Sequence, residues 1–343
     1  LRKVLFLRLR SLGDCVLMTP CLRVLKERWP HLSLAVVVER PFAGVFTGNP
    51  CLNELIVLER RRSTGATAWH RLTVGWALRR RRFDLALNYH GGSTSLLLMR
   101  LAGAPLRAGY GHYRSRRAYT HREDHPERFF GGGPLHTVQF QLALLASLGL
   151  PVPEPLPDPE IHLDPGAVAN VSDRLAGWGA VRGGYIHIHP TATLFTKQWP
   201  PEAFAGLIRR LRERFPHPVV LTAGPAEGAV LDAVEAALGS ALPRATDLSI
   251  QELTALADGA AAFIGCDSGP THLAAARKTK VCVVFGSSNA RAWHPWGTDY
   301  RLVRHPFPCQ PCPGYECAAF GRPRCILEIP PEEVFDAFCD LMR

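Results

Sequence analysis

The stretch Ala262-Phe-Ile-Gly-Cys-Asp-Ser-Gly-Pro-Thr-His-Leu-Ala-Ala-Ala276 holds a complete strand–turn–helix junction. Ala262–Gly265 is an apolar run suited to a buried strand, and a helix follows from Pro270. There the missing N–H of proline costs nothing and its fixed φ suits the first turn. The small residues between them expose backbone N–H groups, and a helix N-terminus favours a phosphate. Asp267, Ser268 and His272 bring three polar side chains to the same junction, more than a helix cap requires. In open α/β sheets, ligands sit at such carboxyl ends of strands.

Outward from this junction the alternation continues. Strand Val281–Phe285 follows it; strands Tyr185–His189 and Val219–Thr222 and helices Glu202–Phe215, Glu227–Leu238 and Ser249–Asp258 precede it. Six prolines between Pro151 and Pro165 mark a semi-rigid linker and a domain boundary. Before them, strands are expected at Val4–Leu9, Leu34–Val38, Glu54–Leu58 and Asp84–Asn88. Ser11-Leu-Gly-Asp14 reads as a turn, Val16–Trp29 as a helix ended by Pro30, and Trp69–Arg82 as a basic amphipathic helix. Residues 110–133, rich in Arg, His, Tyr and Gly, read as a long functional loop. The expected fold class is α/β: two doubly wound, Rossmann-like domains in tandem with an interdomain cleft.

Composition agrees. The chain has 343 residues, too many for one compact core, and its 47% hydrophobic content excludes wholesale disorder. No run reaches the roughly 20 apolar residues of a membrane span. Arg8 and Arg10 interrupt the opening apolar run, so no export signal is read and the cytoplasm is the expected compartment. The net charge is +10, but residues 1–150 carry +14 and the remainder −4. That asymmetry points to an acidic partner for the first half: nucleic acid, an anionic membrane surface or a phosphorylated substrate. The basic elements are Arg60-Arg-Arg62, Arg79–Arg82 and Arg107 through Arg128. No helix-turn-helix, zinc-finger or RNP signature accompanies them, so no nucleic acid is expected as partner.

Three further features bear on chemistry. Asp14 follows the first strand, where a carboxylate can serve as a general base or as a helix cap. His189-Pro-Thr-Ala-Thr-Leu-Phe-Thr-Lys-Gln-Trp-Pro200 again follows a strand; Thr191, Thr193 and Thr196 offer hydroxyls and Lys197 a charge for a diphosphate. Cys309, Cys312, Cys317 and Cys325 form C-x2-C-x4-C-x7-C. Four thiolates can hold a structural zinc, but zinc ribbons set their pairs further apart, so free thiols in a compact loop are favoured. No G-x-G-x-x-G, P-loop or H-E-x-x-H motif occurs, and no cofactor is expected to be required.

Together these residues resemble the bacterial heptosyltransferases of glycosyltransferase family 9. The likeness rests on Ser11-Leu-Gly-Asp14, Thr19-Pro20, Gly48-Asn-Pro50, Lys197-Gln-Trp-Pro200, Gly224-Pro225 and Asp267-Ser-Gly-Pro-Thr-His-Leu-Ala-Ala275. It implies a GT-B fold with an acceptor domain at 1–155, a nucleotide-sugar domain at 156–328, and a terminal helix in 329–343 packing back on the first. It also implies Asp14 as catalytic base, flanked by substrate-binding Ser11 and Gly13, and Lys197 on the donor phosphates. Asp267, Ser268, Gly269 and His272 would hold diphosphate and sugar; Glu227 and Leu248 fall near ribose and adenine contacts. The implied reaction is inverting transfer of heptose from ADP-heptose to the anionic lipid A core, peripherally at the inner face of the cytoplasmic membrane. Another nucleotide-sugar, or donor epimerisation without an acceptor, is the alternative. A basic nucleic-acid-binding protein is the reading from a different class.

Overall fold

The computed structural model describes every residue except Arg60, Arg61, Arg62 and Pro313, so the first basic cluster lies outside the described residues. The chain divides into two units, Leu1–His162 and Leu163–Arg343. In the first, β1 (Lys3–Leu7), α1 (Leu12–Arg28), β2 (Ser33–Glu39), β3 (Glu54–Leu58), α2 (Thr64–Arg81), β4 (Leu85–Asn88) and α3 (Ser93–Ala102) alternate. β5 (Leu106–Tyr110), β6 (His121–Glu123) and α4 (Thr137–Ser147) complete it. The second runs α5 (Pro165–Gly177), β7 (Ile186–His189), α6 (Pro201–Arg214), β8 (Val219–Thr222), α7 (Gly228–Leu238), β9 (Arg244–Ala245) and α8 (Ile250–Gly259). It continues through β10 (Ala262–Cys266), α9 (Gly269–Ala276), β11 (Val281–Phe285), α10 (Ala290–Trp293), β12 (Tyr300–Arg304), α11 (Arg324–Leu327) and α12 (Pro331–Met342).

Every strand pairing is parallel. The sheet orders are β3-β2-β1-β4-β5-β6 and β12-β11-β10-β7-β8-β9, the same Rossmann order counted from each unit's own first strand. Parallel strands need both faces covered, which is why they read as unbroken apolar runs. In the second sheet, successive residues enter opposite cores. Phe263 joins Val281 and Val283 on one face, while Ile264 joins Ile188, Leu221 and Phe204 on the other. In the first, Leu5, Leu7, Val37, Leu98 and Met99 form the corresponding core. The order reverses between β1 and β4, and again between β7 and β10. These are the switch points where doubly wound sheets bind ligands.

Four sequence expectations change. Ser11-Leu-Gly-Asp14 is no turn: Ser11 is the N-cap and Leu12, Gly13 and Asp14 form the first turn of α1. Pro20 sits inside that helix, where it cannot donate to the Val16 carbonyl; the Thr19 hydroxyl donates there instead, at 2.7 Å. Residues 110–133 hold a sixth strand and two short 3-10 turns rather than one loop. The boundary falls after His162, not 155. The Glu160 N–H donates to Thr19 Oγ1 at 3.0 Å and its carboxylate pairs with Arg23, tying this stretch to the first unit. Finally, the terminal helix expected to pack back on the first domain is, as α12, part of the second unit. Its Val334, Phe338 and Leu341 join the core with Phe204 and Leu207 of α6, because they line one stripe at helical spacing.

Candidate active site

At the first switch point, the loops after β1 and β4 supply the polar groups. Arg8 is buried; its guanidinium donates to the Tyr89 carbonyl and pairs with the Asp14 carboxylate. Asp14 stands at the third position of α1, where the partial positive charge of the helix N-terminus favours an anion. Gln141 of α4 donates to the Asp14 carbonyl at 3.3 Å, while the carboxylate keeps 23% of its surface open. Ser11 is exposed and its side chain caps nothing; Gly13 is buried. His90 follows β4, and burial first, then Arg8 and Arg10, push its imidazole down to about 4. It is neutral at physiological pH.

At the second switch point, the loop after β7 meets the loops after β10 and β11. Buried Trp199 anchors the first of these, donating from Nε1 to the Ile329 carbonyl at 2.9 Å and packing edge-on against Phe204. Lys197 is thereby held with Nζ 2.7 Å from Asp267 Oδ2, which also accepts from the Ser288 hydroxyl. Ser268 N-caps α9, its Oγ buried without a hydrogen-bond partner among the described residues. Gly269 opens the helix, and His272 lies buried one turn in.

A second polar line runs through this unit. Thr222 Oγ1 lies 2.7 Å from His187 Nε2 and 2.9 Å from His189 Nδ1; Thr191 Oγ1 lies 3.0 Å from His189 Nε2 and 2.7 Å from Glu227 Oε2. The carboxylate only accepts, so Thr191 donates to it and accepts from His189 Nε2–H. His189 Nδ1 then accepts from Thr222, which accepts from His187. Every donor in the line points toward Glu227, whose Oε2 also takes the Gly224 N–H at 2.8 Å. Burial pushes His189 down to about 4, against the opposing pull of Glu227, and holds His187 well below its ordinary range.

A depressed histidine contributes stability that is complete above its unfolded value near 6.5 and is lost as pH falls toward its folded value. His189 alone is expected to remove about 2 kcal/mol between pH 7 and pH 5. Thermal unfolding across that range checks this: the slope should flatten in His189→Gln.

Among the sequence-expected residues, the structure joins Lys197 with Asp267, and Thr191 with Glu227. Thr193 is exposed and makes no such link; Thr196 turns away, bonded to the Gly314 carbonyl at 2.6 Å and to Ser287. Leu248 packs beside Val171, Leu175 and Tyr185. Asp267 has both its recorded side-chain bonds within the protein, to Lys197 and Ser288. Cys309, Cys312, Cys317 and Cys325 line one cavity of about 10 Å³ together with Thr196 and Ser287. The Cys312 N–H donates to the Ser287 carbonyl at 3.0 Å. Among the described residues no three His, Cys, Asp or Glu side chains are gathered as metal ligands. Sequence reasoning missed Arg8, Ser288, Thr222 and the two buried histidines; the small polar run Gly286-Ser-Ser-Asn289 after a buried strand was the one available signal.

Two tandem Rossmann-ordered sheets, each with polar groups at its switch point, are the architecture of the GT-B class. The chain belongs to glycosyltransferase family 9 (heptosyltransferase), whose family model matches residues 71–321. It is 28% identical over 300 residues to lipopolysaccharide heptosyltransferase 3 of Escherichia coli, covering 85% of each chain. It is 28% identical over 319 residues to lipopolysaccharide heptosyltransferase 1 of Pseudomonas aeruginosa, covering 90% of this chain and 86% of that one. The fold matches a family 9 glycosyltransferase from Veillonella parvula with a TM-score of 0.83 at 19% identity, covering 99% of this chain and 97% of that one. The E. coli ADP-heptose heptosyltransferase II gives 0.79 at 21% identity, covering 99% and 98%.

Proposed function

We propose that the chain moves a heptose from ADP-heptose to a hydroxyl of the lipopolysaccharide inner core, with inversion at the anomeric carbon. The observation that carries this is Lys197, held beside the N-terminus of α9 by Asp267, which the Ser288 hydroxyl also bonds. A cation and a row of backbone N–H groups at one switch point suit a departing diphosphate. Asp14 takes the proton of the acceptor hydroxyl, whose oxygen attacks the anomeric carbon; the bond to the diphosphate oxygen breaks on the opposite face and ADP leaves. Ser268, Gly269 and His272 line the diphosphate and sugar. Glu227, oriented through Thr191, accepts from the ribose hydroxyls, and Leu248 offers an apolar contact to the adenine. Ser11, Gly13 and Thr193 border the substrates. Charge neutralisation falls to Lys197 and the α9 amides, so transfer is expected to survive a chelator.

The excess positive charge of residues 1–150 suits an anionic, phosphorylated acceptor on the inner face of the cytoplasmic membrane. The proposed association is peripheral; among the described residues no helix is long and apolar enough to cross a membrane. The test is a panel of nucleotide-sugars read by thermal protection. At 100-fold excess over Kd, ADP-heptose is expected to add about 2.7 kcal/mol, roughly 5–10 °C. Protection by UDP-sugars and none by ADP-heptose would overturn the donor assignment. Turnover of the donor without any acceptor would favour an epimerase.

A further inference from the structure

Helix α2 turns apolar side chains both inward and outward. Its inner face is ordinary: Leu78 is buried, and Val74 packs against the same core. Gly75 allows the close approach of Leu101 from α3, since a Cβ there would lie 2.3 Å from Leu101 Cδ1. The outer face carries Trp69, Leu72 and Trp76, exposed by 68%, 40% and 65%. At 3.6 residues per turn these three and Arg80 fall within an arc of about 80°. A solvated helix face would be charged there.

The charge on this helix has one sign. Ser63 through Arg82 contains no Asp or Glu. Arg79, Arg80 and Arg82 are exposed at the C-terminal end and form no ion pair among the described residues, whereas Arg81 turns aside to Glu54. The Arg80 guanidinium lies 5.8 Å from the centroid of the Trp76 ring. Cations suit any helix C-terminus, so the arginines alone would say little. Beside two bare indoles and a leucine they match a bilayer interface. Indoles settle at headgroup level, a leucine reaches the acyl boundary, and guanidinium groups pair with lipid phosphates.

We propose that the outer face of α2 is a membrane-docking surface that seats this protein on an anionic bilayer. Trp69, Leu72 and Trp76 enter the interface, and Arg79, Arg80 and Arg82 bind the headgroup phosphates. The occupant follows from charge complementarity: three cations with no ion pair among the described residues, no acid on the helix, and the +14 of residues 1–150. The purpose of docking rests on the reading of a membrane-borne acceptor. Its test uses neither acceptor nor donor, so the two can fail separately.

The test is flotation of the full chain with vesicles of phosphatidylethanolamine and phosphatidylglycerol, against vesicles of phosphatidylcholine alone. Binding is expected only to the anionic vesicles, weakening as salt rises. Arg79→Gln/Arg80→Gln/Arg82→Gln is expected to lower partitioning about 100-fold, near 5-fold for each cation. Trp69→Ala/Trp76→Ala should lower it at least about 10-fold, while ADP protects that variant against unfolding as it does the wild type. In case the alanine pair folds poorly, brominated acyl chains should quench part of the wild-type tryptophan emission, and that part should vanish in Trp69→Phe/Trp76→Phe. The proposal is overturned if the wild type ignores anionic vesicles or if the alanine pair binds them as well as the wild type. It also fails if the alanine pair instead dissociates a homodimer, or if duplex DNA displaces the protein from vesicles at equal phosphate.

Discussion

Lys197→Met is expected to lower transfer by about 10²–10³-fold, the scale of removing one preorganised charge from a transition state. On the proposed reading, the ammonium meets negative charge that grows on the diphosphate as the anomeric bond breaks. The loss should therefore fall mainly on kcat, with a weaker effect on donor affinity. Stability should drop as well. The Asp267 side chain is only 4% exposed and would keep a single partner, the Ser288 hydroxyl, at a cost of about 3 kcal/mol. These two effects can be separated. Lys197→Met/Asp267→Asn removes both charges and should recover most of the lost stability while transfer stays low. A double variant that recovered transfer would show that Lys197 matters only for keeping Asp267 neutralised. Lys197→Arg is not a conservative control, because the planar guanidinium cannot occupy the position of a compact ammonium 2.7 Å from one carboxylate oxygen.

The tandem α/β architecture was legible in the sequence because buried parallel strands leave unbroken apolar runs such as Val281–Phe285, whose bounds agree in full. Lys197 and Asp267 could each be found locally, since both follow such runs. Their pairing could not, because it depends on β7 and β10 lying side by side, a matter of strand order. The same holds for Thr222 and the two histidines. His187 and His189 read as polar interruptions of a strand, and only the register of β7 on β8, with Ile188 opposite Leu221, brings Thr222 between them. Arg8 was masked by its setting among other arginines; its burial follows from the approach of Tyr89 beyond β4. Asp14 was placed after the right strand in the wrong local structure. Ser-Leu-Gly-Asp has the composition of a turn, yet Ser11 is an acceptable N-cap and the first helical turn tolerates Gly and Asp. The outer face of α2 was hidden for a further reason. Trp69, Leu72 and Trp76 have core-like spacing, and periodicity alone does not say which apolar stripe faces the sheet.

Asp14→Asn is expected to lower transfer by at least about 10³-fold while ADP binding stays near that of the wild type. The asymmetry has a structural basis. The residues assigned to ADP stand on the second sheet, and Asp14 opens a helix of the first unit. An amide keeps the size of the side chain and can still accept from Arg8, so packing around α1 should survive; what is lost is the capacity to take a proton. The principal rival account is that Asp14 serves only to neutralise Arg8, whose side chain is 10% exposed. That account makes a different prediction for Arg8→Met/Asp14→Asn: with neither charge present, transfer should return. If Asp14 is the base, the double variant stays inactive, and Arg8→Met alone retains partial transfer, because the carboxylate persists without its tether to the Tyr89 carbonyl. Arg8→Lys should restore part of that loss by supplying a charge without the second hydrogen bond. Transfer at wild-type rates in Asp14→Asn would remove the base from the mechanism and leave activation of the acceptor hydroxyl to another group at the first switch point. His90, held neutral there, would be the first to examine.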